Sequence, residues 1–125
     1  MEKFRILVVD DDVDLVKTLR MRLEFEGFET FPAYEGVRAI EMVLKKRPHL
    51  VLLDLRMPAG SGQTVLKTLQ SNPDTEKIPV IIITALDDPR LEMETKRGGA
   101  SAFFRKPYSI EALLEKIRFY LPTKP

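Results

Sequence analysis

Residues 50–53, Leu-Val-Leu-Leu, form an apolar run without alternation that stops abruptly at Asp54 and turns at Pro58. A strand that buries one face alternates apolar and polar residues. A run that does not alternate has to be covered on both faces, which points to a parallel sheet packed between helices. Asp54 then stands at the C-terminal tip of its strand, and in open parallel α/β sheets ligands bind just beyond the carboxyl ends of the strands. A single acid there would read as a solvated loop residue, so the weight falls on what the other strand ends carry.

Residues 4–9 (Phe-Arg-Ile-Leu-Val-Val) read as a first buried strand, and they too end in acids, Asp10, Asp11 and Asp12. Leu15, Val16, Leu19 and Leu23 follow at the spacing of one helical face over residues 13–26. Asp12 and Asp14 sit where a helix N-terminus favours negative charge, and Gly27 stops the helix. Residues 28–33 alternate and contain Pro32, which suits an edge strand. Residues 35–46 place Val37, Ile40, Val43 and Leu44 on a second helical face, ended by Arg47-Pro48. After the central strand, a turn at residues 57–62 leads into a helix with Val65, Leu66 and Leu69 inward.

The β-branched run at residues 79–84 is a strand ending in Thr84. A fourth helix is expected over about residues 87–97, with little apolar face because Leu91 and Met93 lie two apart; so short and polar a segment is marginal alone. Gly98-Gly99 ends it, residues 100–104 make a fifth strand running into Arg105-Lys106-Pro107, and Ser109 caps a last helix with Ile110, Leu113, Leu114 and Ile117 inward. Five strands alternating with five helices through short loops call for a doubly wound parallel sheet. Residues 1–121 are expected to form one domain, with 122–125 a tail or the start of a linker.

Composition narrows the chemistry. With 20 basic and 19 acidic side chains the formal charge is +1, which argues against direct nucleic-acid binding. The absence of cysteine rules out disulfides and thiolate metal sites, and the single His49 argues against a histidine-based zinc site. No apolar stretch approaches the roughly 18 residues of a membrane span and no signal-peptide pattern opens the chain, so a cytoplasmic location is expected.

Four strand ends therefore deliver polar groups to one edge: Asp10 and Asp11, Asp54, Thr84 and Lys106. In a doubly wound sheet the first and third strands adjoin where the chain reverses, so their acids should meet. Three carboxylates in contact repel and would raise at least one pKa unless a cation intervened. An oxygen-only donor set suits a hard ion, and Mg²⁺ is the usual choice where phosphate is handled. The −3 of the carboxylates would be balanced by Mg²⁺ and Lys106 together, and such a neutral site could admit a phosphoryl group. Beside this, Asp12 reads as a helix cap, His49 as a surface or loop histidine, Lys45-Lys46-Arg47 as a solvated helix end, Met57 as packing and Phe104 as core.

End to end, the chain resembles the receiver domain of two-component response regulators. The residues that carry the likeness are Val8-Val9-Asp10-Asp11, Leu53-Asp54-Leu55-Arg56-Met57-Pro58, Ile78-Pro79-Val80 through Thr84-Ala85, Gly99-Ala100 and Lys106-Pro107, in order over about 100 residues. The resemblance implies a flavodoxin-like α/β/α sandwich with strand order 2-1-3-4-5. It implies a regulatory phosphoacceptor domain rather than a dedicated enzyme. Asp54 would take a phosphoryl group from a sensor histidine kinase or phosphotransfer protein. Asp11, Asp54 and the Arg56 carbonyl would hold Mg²⁺, with Asp10 reaching it through water. Thr84 and Lys106 would bind phosphoryl oxygens, Phe103 would be the aromatic switch residue, and the Lys106–Pro107 peptide would be cis. The partners implied are an output domain or effector protein and a second copy through the face of the fourth helix, fifth strand and fifth helix.

The chain departs from the family pattern in three places: Ser61-Gly62 where Asp-Gly is usual, Arg56 two residues after the phosphoacceptor, where it would influence dephosphorylation, and the polar fourth helix. The rival readings are a receiver-fold binding module that works without phosphorylation, an FMN carrier and a haloacid-dehalogenase-like phosphatase. The FMN carrier would want a hydroxyl- and glycine-rich loop where this chain has three acids. The phosphatase would want a second Asp where this chain has Arg56.

Overall fold

In a computed structural model, which describes residues 2–56 and 62–125, the ten expected elements alternate along the chain. They are β1 (Arg5–Val9), α1 (Val13–Phe25), β2 (Glu29–Ala33), α2 (Gly36–Lys46), β3 (Leu50–Leu53), α3 (Gly62–Gln70), β4 (Val80–Thr84), α4 (Leu91–Arg97), β5 (Ala102–Arg105) and α5 (Ile110–Tyr120). The strands form one parallel sheet in the order β2-β1-β3-β4-β5. Pro32 lies on the edge strand β2.

Alternation along each strand sorts side chains to two cores. Leu7, Val9, Val51, Leu53, Val80 and Ile82 pack under α2, α3 and α4, whereas Ile6, Val8, Leu50, Leu52, Ile81 and Ile83 pack under α1 and α5. β3, buried along its whole length, is the spine of both. Each large aliphatic side chain so buried contributes about 1.5–3 kcal/mol of transfer free energy. α1 begins at an Asp12 cap whose carboxylate accepts the Leu15 N–H at 3.1 Å, and Gly27 after its end takes φ +99°. Ser109 caps α5 through the Ala112 N–H.

Two helices differ from the expected pattern. In α2 the inner positions are Gly36, Ala39, Met42 and Val43, with Ile40 packed beside them, while Val37 and Leu44 are 57% and 46% exposed. The buried face runs along Gly36, Ala39 and Met42 on one side of Ile40 and Val43, whereas Val37 and Leu44 lie on the other side, toward solvent. α4 begins at Leu91, not near Asp87. The Asp88 carboxylate accepts the Arg90 N–H at 2.9 Å, so an Asx-type turn through Pro89 occupies what would have been the first helical turn. The inner face of α4 is the pair Leu91 and Thr95, whose hydroxyl donates to the Leu91 carbonyl at 2.7 Å, and Met93 points outward. The turn at Met57-Pro58 and the Ser61 position lie outside the described residues. No described helix is long and apolar enough to cross a membrane.

Candidate functional site

β1 and β3 are paired with Val9 opposite Leu53, so Asp10 and Asp54 leave the sheet side by side. Their backbones are the last rungs of the ladder: the Asp10 N–H donates to the Ala33 carbonyl at 3.1 Å and the Asp54 N–H to the Val9 carbonyl at 2.9 Å. Asp10 and Asp54 are 3% and 5% exposed, while Asp11 reaches solvent. One carboxylate oxygen from each of the three lies within 4.8 Å of the others.

Each buried acid is held at both oxygens. Asp10 Oδ1 accepts the Asp12 N–H at 3.0 Å and Asp54 Oδ1 accepts the Arg56 N–H at 3.1 Å. The other oxygens meet Lys106, whose Nζ donates to Asp10 Oδ2 at 2.7 Å and to Asp54 Oδ2 at 3.3 Å. Lys106 is brought there by β5, where Arg105 pairs with Thr84 and the Lys106 N–H donates to the Thr84 carbonyl at 2.8 Å. The following Lys106–Pro107 peptide is cis.

Burial drives the Asp54 carboxyl above its ordinary pKa, and the neighbouring Asp10 charge adds to this against the opposing pull of the Arg56 N–H and Lys106. For Lys106, burial works against the charged form, but the hydrogen bond to Asp10 and the charge of Asp54 outweigh it and hold the ammonium above its usual value. The site is thus short of positive charge: one ammonium faces three carboxylates, and one acid is left uncomfortable in its charged form. This donor set fits a hard divalent cation, having three convergent oxygen ligands and a residual negative charge. Asp10, Asp11 and Asp54 are placed to hold one. Arg56 is joined to the site by its backbone N–H.

The structure brings together Asp10, Asp11, Asp54 and Lys106, residues drawn from three strand ends far apart in the chain. Thr84 lies next to them on β4, fully buried, with its hydroxyl accepting the Leu86 N–H at 3.1 Å. Phe103 lies one strand over, half-buried against the α2–α3–α4 core. Sequence reasoning named Gly62 only within the Ser61-Gly62 pair and gave it no role: a methyl group there would lie 2.3 Å from the Asp54 carbonyl oxygen, so only glycine lets α3 start against the strand end. Its signal was present as the glycine at the first position of that helix. It also missed Arg105, which reaches across to the β4–α4 loop and carries no signal in the sequence.

The family description "Response regulator receiver domain" matches residues 6–118. Among curated relatives, the chain is 38% identical over 120 residues to Sporulation initiation phosphotransferase F of Bacillus subtilis, covering 96% of this chain and 95% of that protein. It is also 38% identical over 122 residues to Response regulator MprA of Mycobacterium leprae, covering 97% of this chain and 53% of that protein. The chain therefore spans about half the length of the MprA relatives. Among solved structures it superposes on a CheY-like response regulator receiver domain protein from Methanospirillum hungatei with a TM-score of 0.88 at 27% identity, covering 94% of this chain and 93% of that one. It superposes on the signal receiver domain of a histidine kinase from Syntrophus aciditrophicus with a TM-score of 0.87 at 31% identity, covering 94% of this chain and 89% of that one. With its strand order, its acidic strand ends and a family match across nearly its whole length, this chain belongs to the response regulator receiver domains of two-component systems.

Proposed function

We propose that Asp54 is the phosphoacceptor of this receiver domain and that a sensor histidine kinase or phosphotransfer protein is the donor. The observation that carries the reading is the pair of bonds from Lys106 to Asp10 and Asp54, which ties three strand ends into one anion-ready site. In the transfer an Asp54 carboxylate oxygen forms a bond to phosphorus while the P–N bond of a phosphohistidine breaks, and the electron pair returns to the imidazole. The Arg56 N–H orients the carboxylate by holding Oδ1. Lys106 can follow the charge from the carboxylate to the phosphoryl oxygens that replace it, because its Nζ already lies 3.3 Å from Asp54 Oδ2. Asp10, Asp11, Asp54 and the Arg56 carbonyl would hold Mg²⁺, which when bound supplies the positive charge that lets an anionic donor approach.

Once the phosphoryl group is in place, the Thr84 hydroxyl binds one of its oxygens. The space that this movement leaves is filled by Phe103, and the changed surface is what an output domain, an effector or a second copy of the chain reads. In this reading residues 1–121 are the receiver unit and 122–125 a tail or linker start, acting in the cytoplasm. A groove between α1 and the start of α5, lined by Asp12, Leu15, Leu19, Arg22, Tyr108 and Ile110, offers a donor protein both apolar and charged contacts. The test is intact-mass spectrometry after treatment with acetyl phosphate and Mg²⁺. Wild type should gain one phosphoryl group and Asp54→Ala none; a phosphoryl group on Asp54→Ala, or none on wild type, refutes the assignment.

A further inference from the structure

The loop between β4 and α4, residues 85–90, joins the Thr84 side of the site to the surface, and Leu86 within it is gripped from two directions. Its N–H donates to the Thr84 hydroxyl oxygen at 3.1 Å. Its carbonyl accepts from Arg105 Nη1. The same guanidinium reaches the Asp88 carbonyl at 3.5 Å and the exposed Asp87 carboxylate at 4.0 Å. It also stands 5.4 Å over the Phe103 ring. Arg105 thus touches both the loop that Thr84 holds and the aromatic ring on its own strand, one residue before Lys106. Arginine suits this position, since a planar fork can serve two carbonyls at once and still stack on a ring, which an ammonium cannot.

We propose that Arg105 is a positioning residue that holds the β4–α4 loop in its resting place and thereby sets how readily the site changes conformation. The proposal rests on the phosphoacceptor reading of Asp54. Any displacement of Thr84 toward a group on Asp54 pulls on the Leu86 N–H, while Arg105 keeps the Leu86 carbonyl where it is. A change in the Phe103 ring removes the surface on which the guanidinium lies. The three movements are therefore linked, and Arg105 opposes all of them. A group that favours the resting conformation lowers the apparent affinity for any ligand that selects the other one.

The test uses beryllofluoride with Mg²⁺ as the phosphoryl mimic and compares wild type, Arg105→Met and Arg105→Lys. Methionine keeps an apolar stem against Phe103 but donates nothing, and lysine restores one donor. Arg105→Met should bind about three- to tenfold more tightly, the change expected for losing one solvent-accessible hydrogen bond of ordinary net worth from the resting state alone. Arg105→Lys should fall between the two. In the unliganded protein the Leu86 amide should exchange with solvent faster in Arg105→Met, with α1 amides unchanged. A lesion that merely damages the fold would weaken binding, so unchanged or weaker binding by Arg105→Met overturns the proposal. Failure of wild type to bind the mimic overturns the phosphoacceptor reading and the switching role with it. Unchanged Leu86 exchange overturns the holding of the loop whatever the binding shows.

Discussion

The two ends of the sheet are built on opposite plans. At the amino end several charged groups are tied to partners: Arg5 donates to the Lys46 and Arg47 carbonyls at the close of α2, and its own N–H donates to His49 Nδ1. Buried Thr30 bridges Arg20 and Glu24, and Glu26 takes Arg22 from α1 and Arg118 from α5. At the carboxyl end three acids converge, Lys106 bonds two of them, Asp10 and Asp54, and Asp54 is pushed above its usual pKa by burial. The same parallel ladder supports both. The difference shows that the sheet holds the acids together at the expense of their comfort, and that pairing elsewhere leaves the fold stable enough to do so.

The contrast can be broken most forcefully at Gly62. Alanine there sets its methyl group against the Asp54 carbonyl, and overpacking of this kind costs about 1–3 kcal/mol, more where the obstacle is backbone. Gly62→Ala should lose at least that much in urea unfolding and should also phosphorylate slowly, because the strand end itself must shift. A variant as stable as wild type would show that the carboxyl edge is less tightly set than the contact distance implies. At the other end, Arg5→Met removes two charged hydrogen bonds to the last carbonyls of α2, where the helix dipole also favours a cation. It should cost about 1–2 kcal/mol by the same measurement while leaving acetyl phosphate labelling unchanged. Slower labelling would mean that the two ends are not independent.

A third change should act in the opposite sense. Because the Asp54 pKa is raised in the folded protein, its contribution to stability is fully present below the unfolded value of 3.8 and is lost as pH rises through the folded one. At neutral pH and without added metal, the ionised carboxylate is thus a burden. Asp54→Asn removes it while Lys106 keeps its 2.7 Å bond to Asp10. The variant should melt a few degrees higher, on the order expected for about 1 kcal/mol in a domain of this size. The gain should vanish when both proteins are compared below about pH 3.8, and adding Mg²⁺ should raise the melting temperature of wild type more than that of the variant. A lower melting temperature for Asp54→Asn at pH 7 would mean that Lys106 and the Arg56 N–H already satisfy the ionised Asp54.

Much of this was legible in the residues. The unalternating runs at β1, β3 and β4 and the glycine and proline stops required a sheet covered on both faces. The acids at the ends of β1 and β3 could meet because parallel neighbours end level. What escaped was decided by close approach or by long reach. In α2 the buried stripe runs through Gly36, Ala39 and Met42, of which only Met42 is bulky, so a stripe drawn through Val37 and Leu44 is turned away from the sheet. The start of α4 was lost to an Asx-type turn at Asp88, where local hydrogen bonding competes with the helix. Arg105 looked like one more strand-end cation because nothing in its neighbours announces that its side chain spans to Leu86.

The smallest expected effect tests the amino end by pH. The Arg5 N–H donates to His49 Nδ1 at 2.9 Å, which requires that nitrogen to be unprotonated, and burial followed by the Arg5 charge lowers the His49 pKa below 6.5. A depressed histidine pKa means that the stabilising contact is fully present above the unfolded value of about 6.5 and is lost as pH falls from there through the folded value. In that interval the unfolded chain binds more protons, so stability must rise with pH. The size should not exceed about 1 kcal/mol, the net worth of one hydrogen bond. Replacing His49 by Asn should flatten this part of the stability curve, measured by urea unfolding at closely spaced pH values, and leave the carboxylate-dependent loss at lower pH in place. An undiminished slope in His49→Asn would move the titrating group away from the amino end and onto the acids of the opposite edge.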